Sequence, residues 1–207
     1  MKKLLFIITT LALTNLNVQA QELEFGIKGG LSGSKLTLSQ QPGSTTPTYS
    51  FEPNNTINFG AYGRFVFPIA GLYVQPELIF NSRASNFKVF SDPAFYHKAN
   101  YVDIPVLVGF RFLKIARIYG GPNFQILTKQ LTEIPNNPDF IKTDLAKQST
   151  GYQLGLGADL ARLRVDVKWD FNNNSMGSPF TYKGVAPDLT SRLITIQLGF
   201  KLFSLLD

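Results

Sequence analysis

The charged residues Lys28, Arg64, Glu77, Asp103, Arg111, Arg117, Asp159, Arg164, Asp166, Lys168, Asp170 and Lys201 share one phase of a two-residue alternation. From Leu163 to Phe171 the split is complete. Leu163, Val165, Val167, Trp169 and Phe171 take one phase, and Arg164, Asp166, Lys168 and Asp170 the other. Strand side chains alternate between faces, so each such segment has one apolar and one ionic face. Charges gathered on one face of a narrow sheet could do two things. Paired with one another they plug an interior, since an unpaired charge away from water is costly. Left as a gradient they line a pore. An eight-stranded interior is just wide enough for its own side chains, which favours the plug.

Other chemistry is sparsely represented. His97, the single histidine, falls in the segment Phe95-Tyr96-His97-Lys98, read here as part of a long loop. A catalytic base needs an oriented partner and a nucleophile, and no matching Ser or Asp motif accompanies it. One His and no Cys make a poor zinc site. No catalytic residue, metal ligand or cofactor site is therefore expected. The long connections are rich in aromatics, with Phe90, Phe95, Tyr96, Phe140, Phe180 and Tyr182 as candidate loop contacts beside Tyr49, Phe51 and Phe87. Exposed aromatics often anchor protein interfaces. They could equally pack loop on loop or extend the strands.

Eight segments carry the alternation: 24–36, 56–67, 72–81, 101–112, 117–127, 151–160, 163–172 and 192–203. Each is about the length of a tilted membrane-crossing strand. Short connections (68–71, 113–116, 161–162) alternate with long ones (37–55, 82–100, 128–150, 173–191). An antiparallel up-and-down barrel places all the long loops at one end and all the short turns at the other, as transmembrane barrels do. A two-residue hairpin at Ala161-Arg162 predicts a register: Leu160 opposite Leu163, Asp159 opposite Arg164, Gly157 opposite Asp166 and Gly155 opposite Lys168. Pro76, Pro105 and Pro122 interrupt otherwise regular strands, and bulges or bends are expected there.

A soluble carrier of a small hydrophobic ligand, lipocalin-like, would alternate too, with its apolar face inward. Three observations point the other way. The apolar phase is too bulky for a small interior, with Phe59, Phe65, Phe110, Phe124 and Trp169 among its members. The polar phase holds glycines such as Gly26, Gly60, Gly109, Gly155 and Gly157, as a narrow packed lumen requires. The apolar phase is also uncharged over whole strands. The expected fold is a single all-β, eight-stranded antiparallel up-and-down transmembrane β-barrel with a polar lumen.

Residues 1–20 read as a cleaved signal peptide: Lys2 and Lys3, the apolar run Leu4–Leu13, and Val18-Gln19-Ala20 before a cut at Gln21. Residues 21–207 then form the barrel domain, with no apolar run near the ~20 residues of a membrane helix. Without Lys2 and Lys3 the formal charge falls from +6 to +4. Basic clusters interleaved with stacking aromatics are absent, so no nucleic-acid partner is expected. Without cysteine, stability must come from sheet closure and burial.

Phe25-Gly26-Ile27-Lys28-Gly29-Gly30-Leu31-Ser32 resembles the opening strand of the PorT-like outer-membrane β-barrel family of Bacteroidetes. So do the segments Val74 to Phe80, Tyr101 to Leu107, and Gly155 to Leu160. The resemblance covers nearly the whole of residues 21–207. It implies an eight-stranded barrel in outer-membrane lipid, but no single activity and no catalytic residues. The family's namesake is linked to protein secretion and gliding-type export. From this comes the expectation of a non-enzymatic envelope protein acting through its long extracellular loops or periplasmic rim. Its partner would be a protein of the envelope or secretion machinery. A ligand carrier, a small pore and an outer-membrane enzyme are the alternatives.

Overall fold

The computed structural model describes residues 22–39, 49–53, 55–68, 71–89, 95–112, 115–132, 140–142, 146–172, 180–182 and 188–205. The expected signal peptide and Phe90 lie outside these residues. The described strands are β1 (Glu22–Ser39), β2 (Tyr49–Pro53), β3 (Asn55–Val66), β4 (Leu72–Val89), β5 (Phe95–Phe112), β6 (Ala116–Thr132), β7 (Phe140–Lys142), β8 (Gln148–Leu160), β9 (Leu163–Asn172), β10 (Phe180–Tyr182) and β11 (Asp188–Leu205).

Eight long antiparallel strands close into a barrel, β1-β3-β4-β5-β6-β8-β9-β11, with β11 pairing back onto β1. Closure leaves no sheet edge, which membrane strands require. β2 continues the line of β3 along the same neighbour β4. The register shifts by one residue between them, so they act as one interrupted strand. β7 and β10 form a separate two-stranded sheet.

The hairpin register holds at all four predicted pairs, from Leu160↔Leu163 to Gly155↔Lys168. Its turn places Ala161 at φ 58°, and the turn into β4 places Gly71 at φ 81°. In the latter turn Arg111 N donates to Gly71 O at 2.9 Å.

Strand extent departs from expectation at the long-strand end. β4 and β5 run to Val89 and from Phe95, so most of the supposed loop 82–100 is a paired ladder. Phe95 and Tyr96 lie in β5, Tyr49 and Phe51 in β2, Phe140 in β7, and Phe180 and Tyr182 in β10. These aromatics are therefore strand residues rather than loop residues. Beyond the lipid, ladder hydrogen bonds continue, but no apolar face is needed to mark them.

The prolines do not shift the register. The β3–β4 ladder skips the pairs at Gln75 and Pro76, β4–β5 skips those at Ile104 and Pro105, and β5–β6 skips those at Gly121 and Pro122. Pairing resumes beyond each gap in the same frame. A missing N–H interrupts the ladder there without inserting a residue. True bulges occur elsewhere, between Phe25 and Gly26 of β1 and between Asn100 and Tyr101 of β5.

Candidate functional site

The two faces separate by burial as by charge. Outward residues are Ile27, Leu31, Phe59, Phe65, Phe110, Phe124, Ile196 and Leu198, all exposed. Arg64, Arg117, Arg164, Lys168, Gln75, Gln125 and Glu24 are fully buried in the lumen. A small apolar cluster of Val66, Tyr73, Leu107 and Tyr119 shares that interior. The charged face is the inside of the barrel, not a solvated surface.

The lumen charges form three tiers. Nearest the short turns, Glu24 is shared by Arg64, whose Nη1 lies 3.2 Å from its carboxylate, and by Arg164 in direct contact. Asp159 accepts from Arg64 Nη1 at 3.2 Å. Arg117 Nε lies 2.7 Å from Asp159, but its N–H is poorly aimed, so that contact is Coulombic rather than a hydrogen bond. At the rim Arg111 and Lys201 approach Glu22 at 3.6 and 3.3 Å.

The middle tier is the most enclosed. Glu77 lies between Lys28 Nζ at 2.7 Å and Lys168 Nζ at 2.6 Å, and Gln75 donates to it at 2.5 Å. Asp166 accepts from Arg117 Nη2 and the Tyr119 hydroxyl, each at 2.9 Å, with Lys28 at 3.5 Å. Arg117 thus ties the lower tier to the middle one.

Above, Arg83 meets Asp103 at 3.1 Å and stacks its guanidinium on Tyr101 at 4.4 Å. Asn81 also donates to Asp103, at 3.1 Å. Asp170 accepts from Gln153 at 2.6 Å and Asn123 at 3.2 Å. Gln197 donates to Asn58 at 2.6 Å, and Asn58 to Ser32 at 2.8 Å. All twelve residues of the predicted charge network therefore face the lumen.

The glycines make room for this filling. Tyr62 pairs across from Gly26, Tyr73 from Gly109 and Tyr119 from Gly155. A Cβ at each glycine would overlap the facing tyrosine ring. A Cβ at Gly157 would meet Asp166 and Arg117. The space left among Asn58, Asn81, Asp103, Gln153, Lys168 and Asp170 is about 10 Å³, roughly one water.

Glu22, Glu24 and Arg83 belong to the network and were missed. Glu22 and Glu24 carry the same alternation at the very start of β1, so their signal was present. Arg83 lies past the last apolar outward residue of β4, where alternation gives none. His97 is a correction: it is buried on β5, opposite Ser85 and Thr132, and not in a solvated loop. Among the described residues no cluster of His, Cys, Asp and Glu could hold a metal.

The family model for the outer membrane protein beta-barrel domain matches residues 19–176. The chain belongs to that family. It is an outer-membrane β-barrel, with its apolar face in the lipid. Among solved structures it is similar to the attachment invasion locus protein Ail of Yersinia pestis, in complex with the heparin analogue sucrose octasulfate. Identity is 13%, TM-score 0.48, with 87% of this chain and 99% of that one covered. It is also similar to Neisserial surface protein A, at 11% identity and TM-score 0.48, with 86% of this chain and 97% of that one covered. For OprG of Pseudomonas aeruginosa the identity is 13%, the TM-score 0.46, and the coverage 87% and 94%. No functionally curated protein matches the chain.

Proposed function

We propose that this chain is a non-enzymatic outer-membrane barrel that acts at its ends rather than through its lumen. Its long-strand end faces the cell exterior and its short-turn end the periplasm. The filled lumen carries this reading: interlocked ion pairs and tyrosines leave about 10 Å³ among the residues at its centre. Transport through such a barrel would require breaking buried ion pairs, each several kcal/mol to desolvate. What remains for recognition is the rim and the strand extensions.

The most specific form of the reading is assistance to a protein-secretion machine. It is supported by the resemblance to the PorT-like proteins in Phe25–Ser32, Val74–Phe80 and Tyr101–Leu107. Export by a signal peptide cut before Gln21 belongs to the same reading, as does a Bacteroidetes-type envelope. The test is a deletion strain whose secreted and surface proteomes are compared with the parent's. Loss of a class of exported proteins, restored by complementation, is expected. An unchanged exported set would remove the secretion role.

A further inference from the structure

On the outer face, β3, β4, β5 and β6 enclose a concavity of about 370 Å³ near the long-strand end. Its floor is apolar and continuous with the lipid-facing band. Ile57 is 69% exposed, and Phe59 stacks on Phe80 with ring centroids 5.3 Å apart. Its wall is polar. Ser82 donates to Asn100 Oδ1 at 3.0 Å, and Thr128 donates to the Asn100 carbonyl at 2.9 Å.

The bulge at Asn100/Tyr101 shapes this wall. The ladder passes from Tyr101↔Leu127 to Asn100↔Lys129, so Thr128 is the extra residue. Consecutive residues of a regular strand point to opposite faces, yet Thr128 and Lys129 are both exposed. Lys98 lines the concavity, and its ladder partner Leu131 stands two residues from Lys129. Lys98 and Lys129 therefore both stand on the outer face, on the neighbouring strands β5 and β6. The carboxylates of the lumen network face inward or line its rim, away from these two lysines.

An apolar floor beside two outer-face lysines, at the edge of the lipid band, matches one chemistry. We propose that the concavity binds a phosphate-bearing lipid of the surrounding leaflet. An acyl chain lies on Ile57, Phe59 and Phe80, and the phosphate sits at Lys98 and Lys129. Cations at a membrane surface attract anionic headgroups, while an apolar wall alone would hold any lipid equally. This site is independent of any protein partner at the barrel ends.

Native mass spectrometry of the folded full chain tests it. The probes are diphosphoryl lipid A, the same lipid with its phosphates removed, and phosphatidylcholine. The phosphorylated lipid should be retained and the other two lost. Replacing Lys98→Gln and Lys129→Gln should weaken its retention by roughly fivefold per lysine. Excess inorganic phosphate should not displace it, which assigns the affinity to a lipid rather than a free anion. Equal retention of the phosphorylated and dephosphorylated lipids would overturn the proposal. So would unchanged retention in the double variant, or displacement by inorganic phosphate. Both lysines are exposed, and a heat-modifiable band on gels verifies that the variant is folded.

Discussion

Arg117 donates to Asp166 at 2.9 Å across the lumen, from a strand that is not the neighbour of the one carrying Asp166. β8 lies between them and contributes Gly157 at the crossing point, where a Cβ would strike both side chains. The ion pair exists because a glycine clears its path. Such pairs fix which strands adjoin and in what frame, since a one-residue slip would turn every charge into the lipid.

Glu77 is the most consequential member. Glu77→Gln leaves Lys28 and Lys168 buried around a neutral amide. We expect a loss of about 3–5 kcal/mol, the usual consequence of stripping one partner from a buried ionic group. Urea unfolding followed by the fluorescence of Trp169, the single tryptophan, would measure it. Replacing Lys28 and Lys168 by Met together with Glu77→Leu should recover most of the loss. No recovery would mean that packing, not charge pairing, sets the stability of this tier.

The tyrosine over glycine pairs give a steric prediction. Gly155→Ala places a methyl group against the Tyr119 ring and should destabilise by about 1–3 kcal/mol. Adding Tyr119→Ala should relieve the clash, although Asp166 then loses a hydroxyl donor. Additive losses in the double variant would contradict the contact.

The turn between β8 and β9 is a site for stabilisation. Ala161 holds φ 58°, a conformation in which a Cβ is unfavourable. Ala161→Gly should stabilise the barrel by about 1 kcal/mol, read as a shift of the same urea midpoint.

Lipid contact has a depth signature. Leu198 is exposed in the middle of β11, and Leu205 is exposed at its short-turn end. Leu198→Arg should cost about 2–4 kcal/mol in vesicles and Leu205→Arg about 0–1 kcal/mol. Equal small costs at both positions would mean that this face is not in hydrocarbon.

The membrane part of this barrel could be read from its residues because the lipid imposes a strict rule there. Leu163 to Phe171 must alternate, and the hairpin at Ala161-Arg162 then sets its register without further information. Outside the lipid that rule lapses. Ser82 to Val89 has no uninterrupted apolar phase, so its strand and the lumen role of Arg83 were invisible. His97 was misplaced for the same reason. The prolines misled in another way: a residue without an N–H suggests a bulge, but here only ladder pairs are lost. Which cation faces which carboxylate depends on closure of β11 onto β1 and on contacts across the lumen, as between Arg164 and Glu24. Alternation within single strands carries no trace of those.

The most direct test of a sealed lumen is electrical. Folded protein, shown to migrate differently boiled and unboiled, would be inserted into planar bilayers and its current recorded. The account predicts no stable conductance steps from the wild-type chain. Reproducible steps that change when Arg117→Ala or Glu77→Gln is introduced would contradict it and make the ionic lumen a conduction path.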